Sequence, residues 1–274
     1  MNILVTLNRN YLPQLEVLLH SLLLTNANVN FDLYVISKDL TEKDLEKLKG
    51  RINNEAISYH LLYFDDALLS GAPTSSRYPL EIYYRLFAAK VLPEEIEKIL
   101  YLDPDIVVIN SLEELYQTDF EDAYFVGATH VRKLLRKFNK IRVNAKKNAH
   151  YLNTGVLLMN IKKLREEQNV QEVYDFIAKY KFLLTLPDQD IIFGLYGDKV
   201  KLVDYMKYNL SDRILTRERF IKKRKFDVDW VRENSVIIHY CGRNKPWKAK
   251  YRGILDVFYK EIADKIAAME TTGR

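Results

Sequence analysis

Apolar residues follow two rhythms along this chain. Ile3-Leu4-Val5-Thr6-Leu7 is a short continuous run, which predicts a buried strand ending in the polar turn Asn8-Arg9-Asn10. Pro13 suits the first turn of a helix, and Leu15, Leu18 and Leu22 then keep helical spacing to about Thr25. Residues 31–36 predict a second strand. Thr41-Glu42-Lys43-Asp44 resembles a capping box, and the helix it opens turns Leu45 and Leu48 inward. Residues 57–64 predict a third strand. Strands alternating with helices in this way predict a parallel sheet covered by helices.

Residues 78–92 predict another helix. Ile99-Leu100-Tyr101-Leu102 is a short apolar strand that runs straight into Asp103-Pro104-Asp105, and residues 106–109 resume the apolar pattern. Residues 131–147 are basic and amphipathic. A strand follows over 152–161 and a helix over 170–180. Asp188-Gln189-Asp190 opens a helix carrying Ile191, Ile192 and Leu195. A second basic stretch covers 212–225, a late strand 236–240 and a final helix 253–269. With no repeat, low-complexity segment or linker, the expectation is one α/β domain over 1–255 and a C-terminal helix and tail over 256–274.

Composition narrows the classes. Of 274 residues, 48% are hydrophobic and 29% charged, the balance of a folded globular chain. A single cysteine excludes a disulfide framework and a thiolate zinc site. No apolar run approaches the roughly 18 residues that span a bilayer. The first residues carry neither the basic segment nor the cleavage site of a signal peptide, so a cytoplasmic location is expected. The net charge, 42 − 37 = +5, allows an anionic ligand or membrane surface and does not call for nucleic acid.

Four places carry candidate chemistry, of which Asn153-Thr154-Gly155, before the strand from Val156 to Met159, reads alone as a plain turn. Residues i and i+2 of extended backbone point to the same side, so Asp103 and Asp105 form a carboxylate pair suited to a hard divalent cation. Ligand crevices of open α/β sheets lie at the carboxyl ends of strands, which is where this pair falls. The same spacing also fits a solvated turn, or a phosphatase with an aspartate nucleophile. His239 ends an apolar strand; imidazole is a common ligand for divalent metals, and Gly242 and Lys245 nearby offer close backbone approach and a point charge for phosphate. Asp188 and Asp190 are accounted for by the positive end of a helix dipole, which leaves Gln189 unexplained. The chain has no Gly-rich phosphate loop and no G-x-S-x-G or H-E-x-x-H motif.

From Ile3 to about Tyr251 the ordered motifs resemble those of glycosyltransferase family 8. They are Asn10-Tyr11, Tyr84-Arg85-Leu86, Tyr101-Leu102-Asp103-Pro104-Asp105, Leu152-Asn153-Thr154-Gly155-Val156, Asp188-Gln189-Asp190, and His239-Tyr240-Cys241-Gly242 with Lys245-Pro246-Trp247. The resemblance implies a GT-A fold with a mostly parallel central sheet. It implies a UDP-glucose or UDP-galactose donor, Mn²⁺ with Mg²⁺ as the alternative, and transfer with retention to a carbohydrate or glycolipid acceptor. Carried over by position, it makes Asp103, Asp105 and His239 the metal ligands. Thr6, Asn8, Asn10 and Tyr11 would hold the nucleoside, and Gly242 and Lys245 the diphosphate. Pro104 lies between the ligands within the donor site. Asn153, Asp188 and Gln189 would be the catalytic group around the donor sugar, with Arg85 beside them.

The chain departs from the family at two places. Asn8-Arg9 stands where acidic residues are frequent, and His130 stands where many members place an aspartate near the sugar. The second departure leaves glucose and galactose as alternatives. A nucleotide-sugar or glycan-binding protein without catalysis on the same fold is the second reading. The basic stretches 132–147 and 212–225 read as solvated faces or as a contact with anionic lipid, at roughly 1 kcal/mol per basic residue near a surface.

Overall fold

The structure, a computed structural model, describes residues 1–65, 69, 71–74, 79–130 and 133–272, with backbone only for 133–137, 270 and 272. Tyr78, Val131, Arg132, Gly273 and Arg274 lie outside the described residues, as do the side chains of Leu134 and Leu135.

Nine strands form two sheets among the described residues. They are β1 (Asn2–Thr6), β2 (Phe31–Ile36), β3 (Ile57–Leu62), β4 (Lys98–Leu102), β5 (Ile106–Val108), β6 (Phe125–Gly127), β7 (Val156–Asn160), β8 (Val200–Leu202) and β9 (Ile237–His239). The central sheet has the order β3-β2-β1-β4-β7-β6-β8, and only β7 runs against the rest. Alternate side chains of each strand point to opposite faces. On β4, Ile99 and Tyr101 enter one buried cluster, while Leu100 and Leu102 enter the other. Both faces are covered, which is why these strands read as unbroken apolar runs.

The early alternation is present as read. The helix Leu12–Thr25 follows β1, and Glu42–Ile52 follows β2, its start held by Thr41 N–H and hydroxyl donating to Asp44 Oδ2 at 2.9 and 2.6 Å. Other expectations change. The helix over 78–92 is broken into Glu81–Tyr84, a 3₁₀ turn Arg85–Phe87 and Ala88–Val91. The tighter turn buries Arg85 under the candidate site, and that tertiary demand overrides the helical period. Residues 106–109 do not extend β4. Pro104 has no N–H for a ladder, and the chain leaves the sheet there to pair β5 with β9 antiparallel. The strand over 152–161 shortens to β7, with a helix starting at Ile161. β6 and β8, three residues each, carry too little pattern to be read.

A third apolar cluster lies under the small sheet. Val107 and Ile238 from β5 and β9 pack there with Val17 of the first helix and with Phe258, Tyr259 and Ile262. The last three belong to the helix Asp256–Thr272. This packing holds β9, and therefore His239, against the end of β4.

Candidate active site

The central sheet delivers Asp103 at the carboxyl end of β4, where its backbone N–H donates to Gly155 O at 2.8 Å. Two residues on, Asp105 enters the small sheet; its carbonyl accepts from Tyr240 N at 3.0 Å, and Ile106 lies opposite His239 in the β5–β9 register. Three ligand atoms from Asp103, Asp105 and His239 therefore lie within 4.8 Å of one another. His239 Nε2 stands 3.5 Å from Asp103 Oδ2 and 3.3 Å from Asp105 Oδ1. Gly155 makes this approach possible, since a Cβ there would overlap the imidazole and come within 2.7 Å of Asp103 Oδ2.

Behind the pair lies a buried cation. Arg85 Nη2 meets Asp103 Oδ1 at 3.1 Å, and Nη1 meets Asp188 Oδ2 at 3.3 Å and Thr154 O at 2.8 Å. Its guanidinium stacks over the Tyr101 ring at 4.2 Å. Tyr101 donates its hydroxyl to Asp103 Oδ1 at 2.7 Å, and Thr6 Oγ1 lies 3.0 Å from the same phenol. Thr154 donates to Asp188 Oδ2 at 2.6 Å. One arginine thus fixes the two carboxylates that the sequence placed in separate motifs.

The electrostatics are divided. Burial is the strongest single influence on Asp103 and works against its charge, but Arg85 and His239 together outweigh it and hold the carboxyl below its usual range. Burial likewise opposes Asp105, and His239 with Lys245 holds it far below. On Asp188 burial prevails over Arg85 and pushes the pKa up. Burial would lower His239; Asp105, with Asp103 adding, overrides it and raises the pKa to about 10. Lys245 is raised for the same reason, its burial outweighed by the Asp105 carboxylate it pairs with.

Of the remaining candidates, Lys245 is bonded directly into this centre. Lys245 Nζ donates to Asp105 Oδ2 and to Tyr240 O at 3.0 Å. Gly242 takes φ +94°, a left-handed turn with open space around its α-carbon. Asn8, just beyond β1, caps a 3₁₀ turn by accepting from Asn10 N at 3.1 Å, while Arg9 turns away to Asp39 and Asp44. Half-buried Tyr11 is near enough to Lys245, Asp105 and Asp103 to feel their charges. Pro104 is buried, and Gln189 is half-buried in the first turn of the helix Pro187–Tyr196. Asn153 Oδ1 accepts from Gly155 N at 3.2 Å. His130 is turned to the backbone, with Nε2 2.8 Å from Asn209 O.

Asn209 escaped the sequence reading. It is fully buried, with Oδ1 2.9 Å from His239 Nδ1 and Nδ2 donating to Asn153 Oδ1 at 3.1 Å. It follows a four-residue helix and belongs to no periodic pattern, so nothing local singles it out. Tyr101 and Thr154 were within quoted motifs, though their bonding roles depend on partners far along the chain.

The donor set fits a divalent cation. It offers two carboxylates and an imidazole, all of them hard or borderline ligands. Asp105 Oδ1 is buried, and its nearest partner is His239 Nε2 at a long 3.3 Å, so a strong acceptor at the centre of the group has room for a better partner such as a cation.

Comparison with known proteins places this arrangement. The sequence model of glycosyl transferase family 8 matches residues 2–251. A lipopolysaccharide 1,2-glucosyltransferase of Escherichia coli is 27% identical over 243 residues, 88% of this chain and 71% of that protein. A lipopolysaccharide 1,3-galactosyltransferase of Salmonella typhimurium is 22% identical over 258 residues, 90% of this chain and 72% of its own. The crystal structure of the galactosyltransferase LgtC with donor and acceptor sugar analogues superposes with a TM-score of 0.81 at 23% identity, covering 97% of this chain and 96% of the other. The family leaves no ground for reading Asp103 as a phosphatase nucleophile. With a metal-competent carboxylate pair at the end of β4 and a family match over almost its whole length, the chain belongs to glycosyltransferase family 8 and is a GT-A-fold glycosyltransferase.

Proposed function

We propose that this enzyme moves glucose or galactose from UDP to a carbohydrate or glycolipid acceptor, with retention and with a divalent metal. The observation that carries the proposal is the convergence of Asp103, Asp105 and His239 beside Lys245. These three side chains would hold Mn²⁺, or Mg²⁺ in its place, which supplies positive charge against the diphosphate as it departs. Lys245 adds a second positive charge at that point, and the Gly242 turn lets backbone N–H groups approach the phosphates. Asn8, Asn10 and Tyr11 offer amide and phenol groups to the nucleoside at the end of β1. Thr6, bonded to Tyr101, would hold it from beneath.

Asp188 accepts hydrogen bonds from sugar hydroxyls, and Asn153 presents its amide to the same ring. Gln189 lies by family resemblance nearest the reacting carbon. An amide is a poor nucleophile, so the acceptor oxygen attacks on the face that UDP leaves. The bond from the anomeric carbon to the phosphate oxygen breaks, the bond to the acceptor oxygen forms, and the acceptor proton passes to the departing phosphate. Glucose and galactose differ in one hydroxyl, which a site discriminates by leaving a buried polar group unpaired with the wrong sugar.

A peripheral contact with anionic membrane fits a glycolipid acceptor. Phe138 and Ile141 are 65% and 83% exposed, Phe182 is 89% exposed, and Phe220 is 85% exposed next to Lys222, Lys223 and Arg224. Exposed aromatic side chains among lysines suit the boundary between headgroups and acyl chains. Among the described residues no helix is long and apolar enough to cross a membrane.

The experiment is UDP release from a panel of UDP-sugars without acceptor, first with Mn²⁺ and then with EDTA. Slow hydrolysis of UDP-glucose or UDP-galactose that stops on chelation is the expected result. UDP binding without turnover of any donor, with or without candidate acceptors, would favour the binding-protein reading of the site.

A further inference from the structure

Each polar atom of Asn209 is spoken for. Its N–H donates to Tyr205 O at 3.2 Å and its carbonyl faces His130 Nε2. Its side chain bridges His239 Nδ1 and Asn153 Oδ1. The next residue locks it in register, since Leu210 N donates to Ile237 O at 3.0 Å and Leu210 O accepts from His239 N at 2.7 Å. A buried amide so completely bonded is held in one orientation.

That orientation has a direction, which a backbone group sets. Gly155 N–H can only donate, so the Asn153 atom it meets is the oxygen. The Asn209 atom that faces this oxygen must then be a donor, the amide nitrogen. The other end of the Asn209 amide is therefore the oxygen, and it can only accept. His239 must therefore keep a hydrogen on Nδ1, which leaves Nε2, the nitrogen that faces Asp103 and Asp105, as the one that would give up its proton to a metal ion. We infer that Asn209 is a positioning residue that fixes the tautomer and ring orientation of His239 for a divalent metal and ties them to the orientation of Asn153. The inference rests on the metal reading of Asp103, Asp105 and His239. It adds a relay of polarity, running from the Gly155 backbone through two asparagines to the imidazole.

Two variants and one spectrum test it. Asn209→Leu keeps size and loses both bonds; Asn209→Asp keeps the acceptor for Nδ1–H and loses the donor to Asn153. Mn²⁺ affinity is expected to fall about 10–100-fold in Asn209→Leu, the usual cost of removing a partner behind a ligating histidine, and to recover most of that loss in Asn209→Asp. Both variants raise the KM for the sugar nucleotide, since Asn153 is released in each. Equal Mn²⁺ affinity in Asn209→Leu and the unaltered protein, or an Asn209→Asp variant as weak as Asn209→Leu, overturns the inference. The proton NMR spectrum of unaltered, metal-free protein gives a test independent of folding of the variants and of the metal reading. The His239 Nδ1–H is expected as a downfield, slowly exchanging resonance, and a rapidly exchanging Nδ1–H contradicts the relay even if Mn²⁺ never binds.

Discussion

Of the chain's three Asp-x-Asp triplets, Asp103-Pro104-Asp105 and Asp188-Gln189-Asp190 meet opposite fates in the fold. Asp103 and Asp105 leave the end of a strand, where i and i+2 share a side, and both reach His239. Asp188 and Asp190 lie in the first turn of a helix, where a separation of two residues is a rotation of roughly 200°. Asp188 faces Arg85 and Thr154 in the site. Asp190 faces away and is fully buried, paired with Arg142 at 2.5 and 2.9 Å and accepting from Tyr151 at 2.8 Å. It also accepts from Thr185 N at 2.7 Å and Leu186 N at 3.1 Å, which anchors the start of its own helix. Spacing alone does not make a carboxylate pair; the backbone beneath it decides whether two aspartates cooperate or divide.

The two triplets differ most at Asp105. Asp105→Asn removes a ligand charge and leaves Lys245 and His239 competing for fewer acceptors. Turnover of the sugar nucleotide is expected to fall by more than about 10³-fold, measured as UDP release at saturating Mn²⁺. A variant within tenfold of the parent would dissolve the pair as a metal site. Asp190→Asn should act on the other axis. It strips the partner from Arg142, an effect on the order of 3 kcal/mol of stability, read as a lower urea midpoint with Mn²⁺ affinity retained in the folded fraction. If it instead abolished Mn²⁺ binding at unchanged stability, the two triplets would not differ as described.

Asp188→Asn lies between these. It keeps the helix start and the Thr154 contact but weakens acceptance from sugar hydroxyls. A drop in turnover of about 10²-fold with unchanged Mn²⁺ affinity would separate it from Asp105, whereas a parallel loss of metal would merge the two roles.

The smallest effect concerns His130, behind the same wall. Burial, with His239 and two arginines adding, lowers its pKa from 6.5 to about 3. Between those values the unfolded chain binds more protons than the folded one, so this contribution is complete above pH 6.5 and is lost as pH falls toward 3. In urea melts from pH 7 to pH 4, His130→Asn should flatten the fall in stability by up to one proton's worth of slope. An unchanged slope would mean that His130 is free to protonate in the folded state.

The parallel half of the fold was legible because buried strands and amphipathic helices announce themselves over several residues, as in residues 3–7 and 42–52. The grouping of Asp103, Asp105 and His239, which could hold a metal, was legible for a different reason. Asp103, Asp105 and His239 end apolar runs, and polar residues at such ends meet solvent and ligands together. What stayed hidden depended on distant partners. Asn209 gains its role only because Leu210 bridges to β9, and the division of Asp188 from Asp190 required knowing where Arg85 and Arg142 lie. β6 and β8 are simply too short to show a period. His130 could be recognised as a departure from the family, but its sequence gave no sign that it faces a carbonyl rather than open space.

Asp103, Asp105 and His239 would form a metal site on which binding of the sugar nucleotide depends. Calorimetric titration of UDP into the unaltered protein, once with Mn²⁺ and once with EDTA, tests it most directly. Binding that is strong with Mn²⁺ and weakened at least 10-fold by chelation is the predicted result. UDP affinity that is the same in both titrations would contradict it.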